Sequence, residues 1–308
     1  MTNAALRGKP DAGNPHVRFD EGEVASAATP RRGSLLYKIN GLEAFLEKIR
    51  SGSMPLGAAI TFTDPAVTEL SCASGFDFLW FDGEHGEFGR ETAMMHLMAV
   101  KGTGVASLYR VPSCDHTEIK RIIDFAPAGV IIPMVLTAED AARAVDACRY
   151  PIHGGSRGFG PRRGLDYGAG DAAEYFEKSA HEPLVMIQLE HIEAARNLDA
   201  ILDVPGIDAI IVGPFDFTMS MKKPGQFRDP EIMAILDECC RKVRDRGILL
   251  GCYTECDFDV WRRRGVQFMA IKNDTNAMML GFHAMMEKAR ERVESAGVGS
   301  VGVEELGV

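Results

Sequence analysis

No apolar run in this sequence approaches the roughly 20 residues needed to cross a bilayer, so no membrane-spanning segment is expected. Basic residues are in deficit: 34 Lys and Arg stand against 44 Asp and Glu, a net charge of −10. A nucleic-acid or anionic-membrane binder would carry a basic stripe, so neither partner is expected. Cysteine is sparse, seven in all, and Cys252 and Cys256 have no second close pair downstream. That argues against a zinc site or disulfide framework and for reduced thiols in a cytoplasmic protein. The amino terminus lacks a secretory h-region, and Asp11, Asp20, Glu21 and Glu23 interrupt any transit-peptide pattern. A nucleotide loop is missing too. No P-loop occurs, and Gly158-Phe-Gly160-Pro-Arg-Arg-Gly164 misses the G-x-G-x-x-G spacing.

What the chain does have is a long alternation. With 308 residues, 46% of them hydrophobic, it can bury a large core. Residues 1–34 read as a disordered tail, 35–296 as the folded domain and 297–308 as a flexible tail. Apolar runs suited to buried strands occupy Leu56–Phe62, Phe76–Asp82, Val105–Val111, Val130–Val135, Leu184–Glu190, Ile207–Gly213, Ile248–Tyr253 and Phe268–Asn273. Amphipathic stretches separate them. Thr137-Ala-Glu-Asp140 opens a helix, and Asp229-Pro230-Glu231 opens another that Gly247 ends. Eight strands alternating with helices in about 220 residues predict an α/β protein, a (β/α)8 TIM barrel. A doubly wound open sheet is the alternative. The connection between Arg149 and Leu184 is too long for ordinary barrel rhythm and predicts a lid or a subunit contact. Thr275–Ser295 reads as a long terminal helix with Met and Phe on one side.

The most informative stretch is Phe76-Asp-Phe-Leu-Trp80-Phe-Asp82-Gly-Glu-His85, a buried strand delivering ionisable groups at its carboxyl end. Other strands do the same: the third ends in Arg110, the fifth in Gln188 and Glu190, and the sixth runs into Gly213-Pro-Phe-Asp216. In a barrel those ends share one face. Two carboxylates with room for water suit a hard divalent cation such as Mg2+ or Mn2+, and a 2-oxo acid would chelate it. Arg110 suits an enolate oxygen or a carboxylate. His85 can titrate near neutral pH, with Asp82 fixing its tautomer or positioning a water. The residues suggest metal-assisted carbon–carbon chemistry beside a carbonyl.

Six ordered segments, Phe76–His85, Tyr-Arg110-Val-Pro112, Ile132-Pro-Met-Val135, Arg157-Gly-Phe-Gly160, Ile187-Gln-Leu-Glu190 and Val212-Gly-Pro-Phe-Asp216, resemble the HpcH/HpaI aldolases over roughly residues 40–290. The resemblance implies a barrel of the phosphoenolpyruvate/pyruvate type, a homo-trimer or hexamer exchanging its terminal helix. It implies a class II aldolase that cleaves 4-hydroxy-2-oxo acids to pyruvate and an aldehyde through an enolate, with oxaloacetate decarboxylation as a side activity. Glu190 and Asp216 would bind Mg2+, Mn2+ or Co2+, Arg110 would stabilise the enolate, and His85 with Asp82 would handle the proton. Gln188 would lie beside the 2-oxo acid. The chain departs from the pattern in bulk: Phe215, Trp80, Phe159 and Pro161 would make the mouth bulkier and more aromatic, and Trp80, Phe159, Pro214 and Phe215 would contact the substrate. With Tyr175 they resemble the macrophomate-synthase branch, which decarboxylates oxaloacetate and adds the enolate to a 2-pyrone or other acceptor. Lys272 departs as well. If strand alternation holds, it shares a face with Phe268 and Ala270, where a lysine can form a Schiff base.

Overall fold

The computed structural model describes residues 40–254 and 257–295. The expected tails, 1–34 and 297–308, lie outside those residues. Eight parallel strands close into a barrel in chain order: β1 Leu56–Ile60, β2 Phe78–Asp82, β3 Ala106–Arg110, β4 Gly129–Ile132, β5 Leu184–Leu189, β6 Ala209–Val212, β7 Leu249–Tyr253 and β8 Phe268–Asn273. Each expected strand is present, one to three residues shorter at some ends. The open sheet is excluded by the pairing of β1 with β8.

Two cores follow from strand alternation. Inward residues such as Phe78, Leu108, Met186, Ile211 and Phe268 fill the barrel. Outward residues such as Leu79, Phe81, Val185 and Ile210 pack beneath the helices. The helix Leu42–Arg50 plugs the barrel's amino-terminal end, Phe45 meeting Phe78 and Phe268 edge-on at 5.7 and 5.3 Å. Glycine makes room for this plug. A Cβ on Gly57 would sit 2.5 Å from the Phe78 ring, and one on Gly251 2.3 Å from that of Phe268.

Helix boundaries follow their capping chemistry. Thr137 and Asp140 form a reciprocal capping box on Ala138–Cys148, and Asp229 caps Pro230–Asp245 through the N–H groups of Glu231 and Ile232. Six described cysteines are unpaired thiols, four of them buried.

The long connection after Cys148 holds two short 3-10 turns, Pro151–His153 and Asp166–Gly168, and the helix Ala172–Lys178. It follows a helix, so it returns to the amino-terminal face, opposite the strand carboxyl ends. Arg157 pairs there with Asp124 at 3.3 Å, at the end of the helix His116–Ile123. The terminal helix Asp274–Ser295 has only Asp274 buried.

Candidate active site

At the carboxyl end of the strands a cavity of about 390 Å³ is lined by Thr61, Trp80, Asp82, His85, Arg110, Gln188, Pro214, Phe215, Asp216 and Asn273, among others. Parallel pairing sets its floor. Asp82 lies in register with Arg110 across β2 and β3, and Gln188 with Ile211 across β5 and β6.

Arg110 is the hub. Its Nε donates to Asp82 Oδ1 at 2.9 Å and its Nη2 to Asp82 Oδ2 at 2.5 Å, a bidentate fork on a buried carboxylate. Nη1 lies 2.9 Å from Glu84 Oε2 and 3.4 Å from Gln188 Oε1. The guanidinium also stands 5.1 Å over the Trp80 ring. Burial pushes the Asp82 carboxyl up, but the Arg110 bonds and charge, with the N–H groups of His85 and Glu84, hold it below its ordinary value.

This arrangement corrects the expected relation of Asp82 to His85. Both Asp82 oxygens are engaged by Arg110, and Oδ1 also accepts from the His85 and Glu84 backbone N–H groups at 3.1 Å. Asp82 therefore fixes His85 through its backbone. The exposed His85 ring instead has Nε2 3.8 Å from Glu84 Oε2.

Glu84 is a site residue that its spacing alone did not single out. Gly83 brings it there: the Gly83 N–H donates to the Arg110 carbonyl at 2.9 Å, where a Cβ would lie 2.6 Å from that oxygen. The signal was present in Asp82-Gly-Glu84, a turn forced against its neighbouring strand.

Glu190 is buried behind the cavity. Its Oε1 accepts from the Met134 N–H at 2.7 Å and its Oε2 from Gln188 Nε2. Burial, then the charges of Glu84 and Asp216, push its carboxyl up to about 7 against the opposing Met134 bond and Arg110 charge. Glu84 is raised as well, chiefly by burial. Asp216 stands in the first turn of Pro214–Ser220, exposed to the cavity. Four carboxylates thus surround one guanidinium. The excess of negative charge favours a cation, and Glu190 and Asp216 supply the hard oxygen donors that Mg2+ or Mn2+ prefers. Among the described residues no three His, Cys, Asp or Glu are grouped to cage an ion.

Trp80, Pro214 and Phe215 line the cavity as expected, and the buried Trp80 indole N–H meets no acceptor among the described protein atoms. Phe159 does not line it. It stacks on Phe176 with centroids 5.6 Å apart, and its neighbour Gly160 lies against Asp124, on the opposite face of the barrel. Tyr175 is there too, bonded to Tyr150 at 2.9 Å. Lys272 is also outside the cavity, because β8 carries a bulge. Gly57 pairs with Ala270 but Ala59 with Asn273, so one extra residue shifts the alternation and Asn273 takes the inward place.

Residues 60–279 match the family model described as HpcH/HpaI aldolase/citrate lyase. A hydroxypyruvate/pyruvate aldolase of Roseobacter denitrificans is 31% identical, over 78% of this chain and 93% of that protein. A 4-hydroxy-2-oxo-heptane-1,7-dioate aldolase of Salmonella newport is 30% identical, over 84% and 98%. Among solved structures, an HpcH/HpaI aldolase from Desulfitobacterium hafniense superposes with a TM-score of 0.74 at 26% identity, over 80% and 96%. Macrophomate synthase, at 24% identity and a TM-score of 0.74 over 85% and 93%, shares the fold.

Proposed function

Because the chain belongs to the HpcH/HpaI aldolase/citrate lyase family and is therefore a lyase of the aldolase type, we propose that it acts on 4-hydroxy-2-oxo acids. The products are pyruvate and an aldehyde, and the reaction runs in either direction. The observation that carries this reading is the single guanidinium of Arg110 among Asp82, Glu84, Glu190 and Asp216.

Glu190 and Asp216 would hold a divalent cation, Mg2+, Mn2+ or Co2+. When bound, it supplies Lewis acidity at the 2-oxo oxygen. In cleavage the 4-hydroxyl gives its proton to His85 through a water, and the C3–C4 bond breaks as C4 becomes the aldehyde carbonyl. The electron pair moves into the C2–C3 bond, leaving an enolate whose oxygen faces Arg110. Asp82 fixes one edge of that guanidinium, and Nη1, which also pairs with Glu84 and contacts Gln188, carries the positive charge toward the developing negative charge. Protonation at C3 then gives pyruvate. Gln188, bonded to Glu190 and beside Arg110, orients the 2-oxo acid carboxylate. Oxaloacetate enters the same route by losing its 4-carboxylate as CO2.

A second reading adds the enolate to a 2-pyrone or other acceptor; Trp80 and Phe215 at the cavity favour it. We also assign a homo-trimer or hexamer built on exchange of the terminal helix, and a cytoplasmic location that suits unpaired thiols. No helix of the described residues is long and apolar enough to cross a membrane.

Pyruvate release from oxaloacetate and from a 4-hydroxy-2-oxo acid tests the reading, before and after EDTA and after metal is restored. Activity should vanish with EDTA, return with metal, and fall by about 100-fold or more in Glu190→Ala. Activity that survives EDTA would overturn it.

A further inference from the structure

A second, larger cavity of about 740 Å³ adjoins the first and shares Pro214 and Phe215 with it. It runs between the helices Pro230–Asp245 and Phe258–Arg263, and its wall includes Phe227, Phe258, Val260 and Trp261. Phe215 is the partition. Its ring meets Phe227 edge-on at 4.7 Å, and its carbonyl accepts from Thr218 Oγ1 at 2.7 Å. That hydroxyl in turn accepts from the Gly225 N–H at 3.1 Å, so one side chain ties the partition to the turn carrying Phe227. Across the rim Arg228 pairs with Asp257 at 2.5 Å.

In the catalytic cavity Asp82, His85, Arg110, Gln188 and Asp216 take the reacting end of the substrate, and the apolar surface there is confined to Ala59, Trp80, Pro214, Phe215 and Tyr253. Past Phe215 an acceptor with an apolar body finds three more aromatic side chains, Phe227, Phe258 and Trp261. We propose that this groove is the subsite for the acceptor half of the substrate, and that the acceptor class is an aryl-substituted aldehyde whose carbonyl carbon stays beside His85. The proposal rests on the aldol reading above. Adjacency of the two cavities across Pro214 and Phe215 is what assigns the groove to the acceptor, since an aldehyde that extends from the reacting carbon over Phe215 reaches it.

The test compares pyruvate release from 4-hydroxy-2-oxo-6-phenylhexanoate and from 4-hydroxy-2-oxopentanoate, the adducts of 3-phenylpropanal and acetaldehyde. Val260→Phe fills the groove and Phe227→Ala removes one wall. Each should lower kcat/KM for the phenyl substrate by about tenfold or more while the short substrate changes by less than about twofold. Binding is read separately. Trp80→Phe leaves Trp261 as the sole tryptophan, and 3-phenylpropan-1-ol should quench it, an effect lost when Val260→Phe is added. Equal effects on both substrates, or quenching that ignores Val260→Phe, would overturn the subsite alone. Quenching without pyruvate release from either substrate would overturn the aldol reading and the acceptor assignment with it. Variants that change the sedimentation mass but not substrate preference would give the groove to a second copy of the chain.

Discussion

Arg110 is buried with both oxygens of Asp82 on its fork, so its replacement has two separable effects. Arg110→Ala leaves Asp82 without its counter-charge and should cost about 3–5 kcal/mol in urea unfolding. Arg110→Lys keeps a charge but loses the fork, and kcat should fall by about 10²–10³ with a smaller loss of stability. The sign of the pH effect follows from Asp82. Its folded pKa lies below the ordinary 3.8 of an aspartate, so its stabilisation is present above that value and lost as pH falls through the folded one. Asp82→Asn should therefore lower the urea midpoint at neutral pH and flatten its decline below about pH 4. A variant whose midpoint falls as steeply in acid as the parent's would place the acid sensitivity elsewhere. That Asp82, His85, Arg110, Gln188 and Asp216 meet at one cavity, with Glu190 bonded to Gln188 behind it, was legible because strand carboxyl ends share a face in any barrel. Which atoms meet was not legible. Asp82 turned to Arg110 because a buried guanidinium needs both oxygens, a competition that spacing along one strand does not reveal.

Among the elements, β8 shows where pattern reading stops. All eight strands were legible from short apolar runs, since both their faces are covered and composition alone marks them. A bulge leaves no such mark. One added residue opposite Ala59 exchanged Lys272 for Asn273 at the cavity, and with it the basis for a Schiff base. Lys272→Ala should keep activity within about twofold, and borohydride with pyruvate should trap no adduct on the parent protein. Asn273→Ala should be the more harmful of the two in kcat/KM. The expectation for Phe159 failed for a related reason. The segment Arg157–Gly160 has the composition of a lid, but a connection that follows a helix ends at the amino-terminal face.

For the molecule as a whole, the terminal helix Asp274–Ser295 exposes Met278, Leu280, Phe282 and Met286 in the single chain. Met278, Phe282 and Met286 recur at four-residue spacing on one side of the helix, which suits the proposed helix exchange. If helices exchange between subunits, Phe282→Asp should shift the sedimentation mass toward the monomer, and an unchanged mass would place the interface elsewhere. Asp274 anchors the base of that helix to the carboxyl end of the neighbouring strand β1: its carboxylate accepts from the Thr61 N–H at 2.8 Å, the Thr61 hydroxyl at 2.6 Å and the Phe62 N–H at 2.9 Å.

The ring of strands also has a history in time. Gly57 pairs early with Phe78 but finds its second neighbour only at Ala270, near the end of the chain. At about 5–20 residues per second, a ribosome holds β1 with one edge bare for tens of seconds. Until β8 emerges, the nascent sheet is an open template that another nascent chain could extend. Slow synthesis, or a truncation before residue 268, should therefore yield aggregates, while the finished ring offers no strand to join.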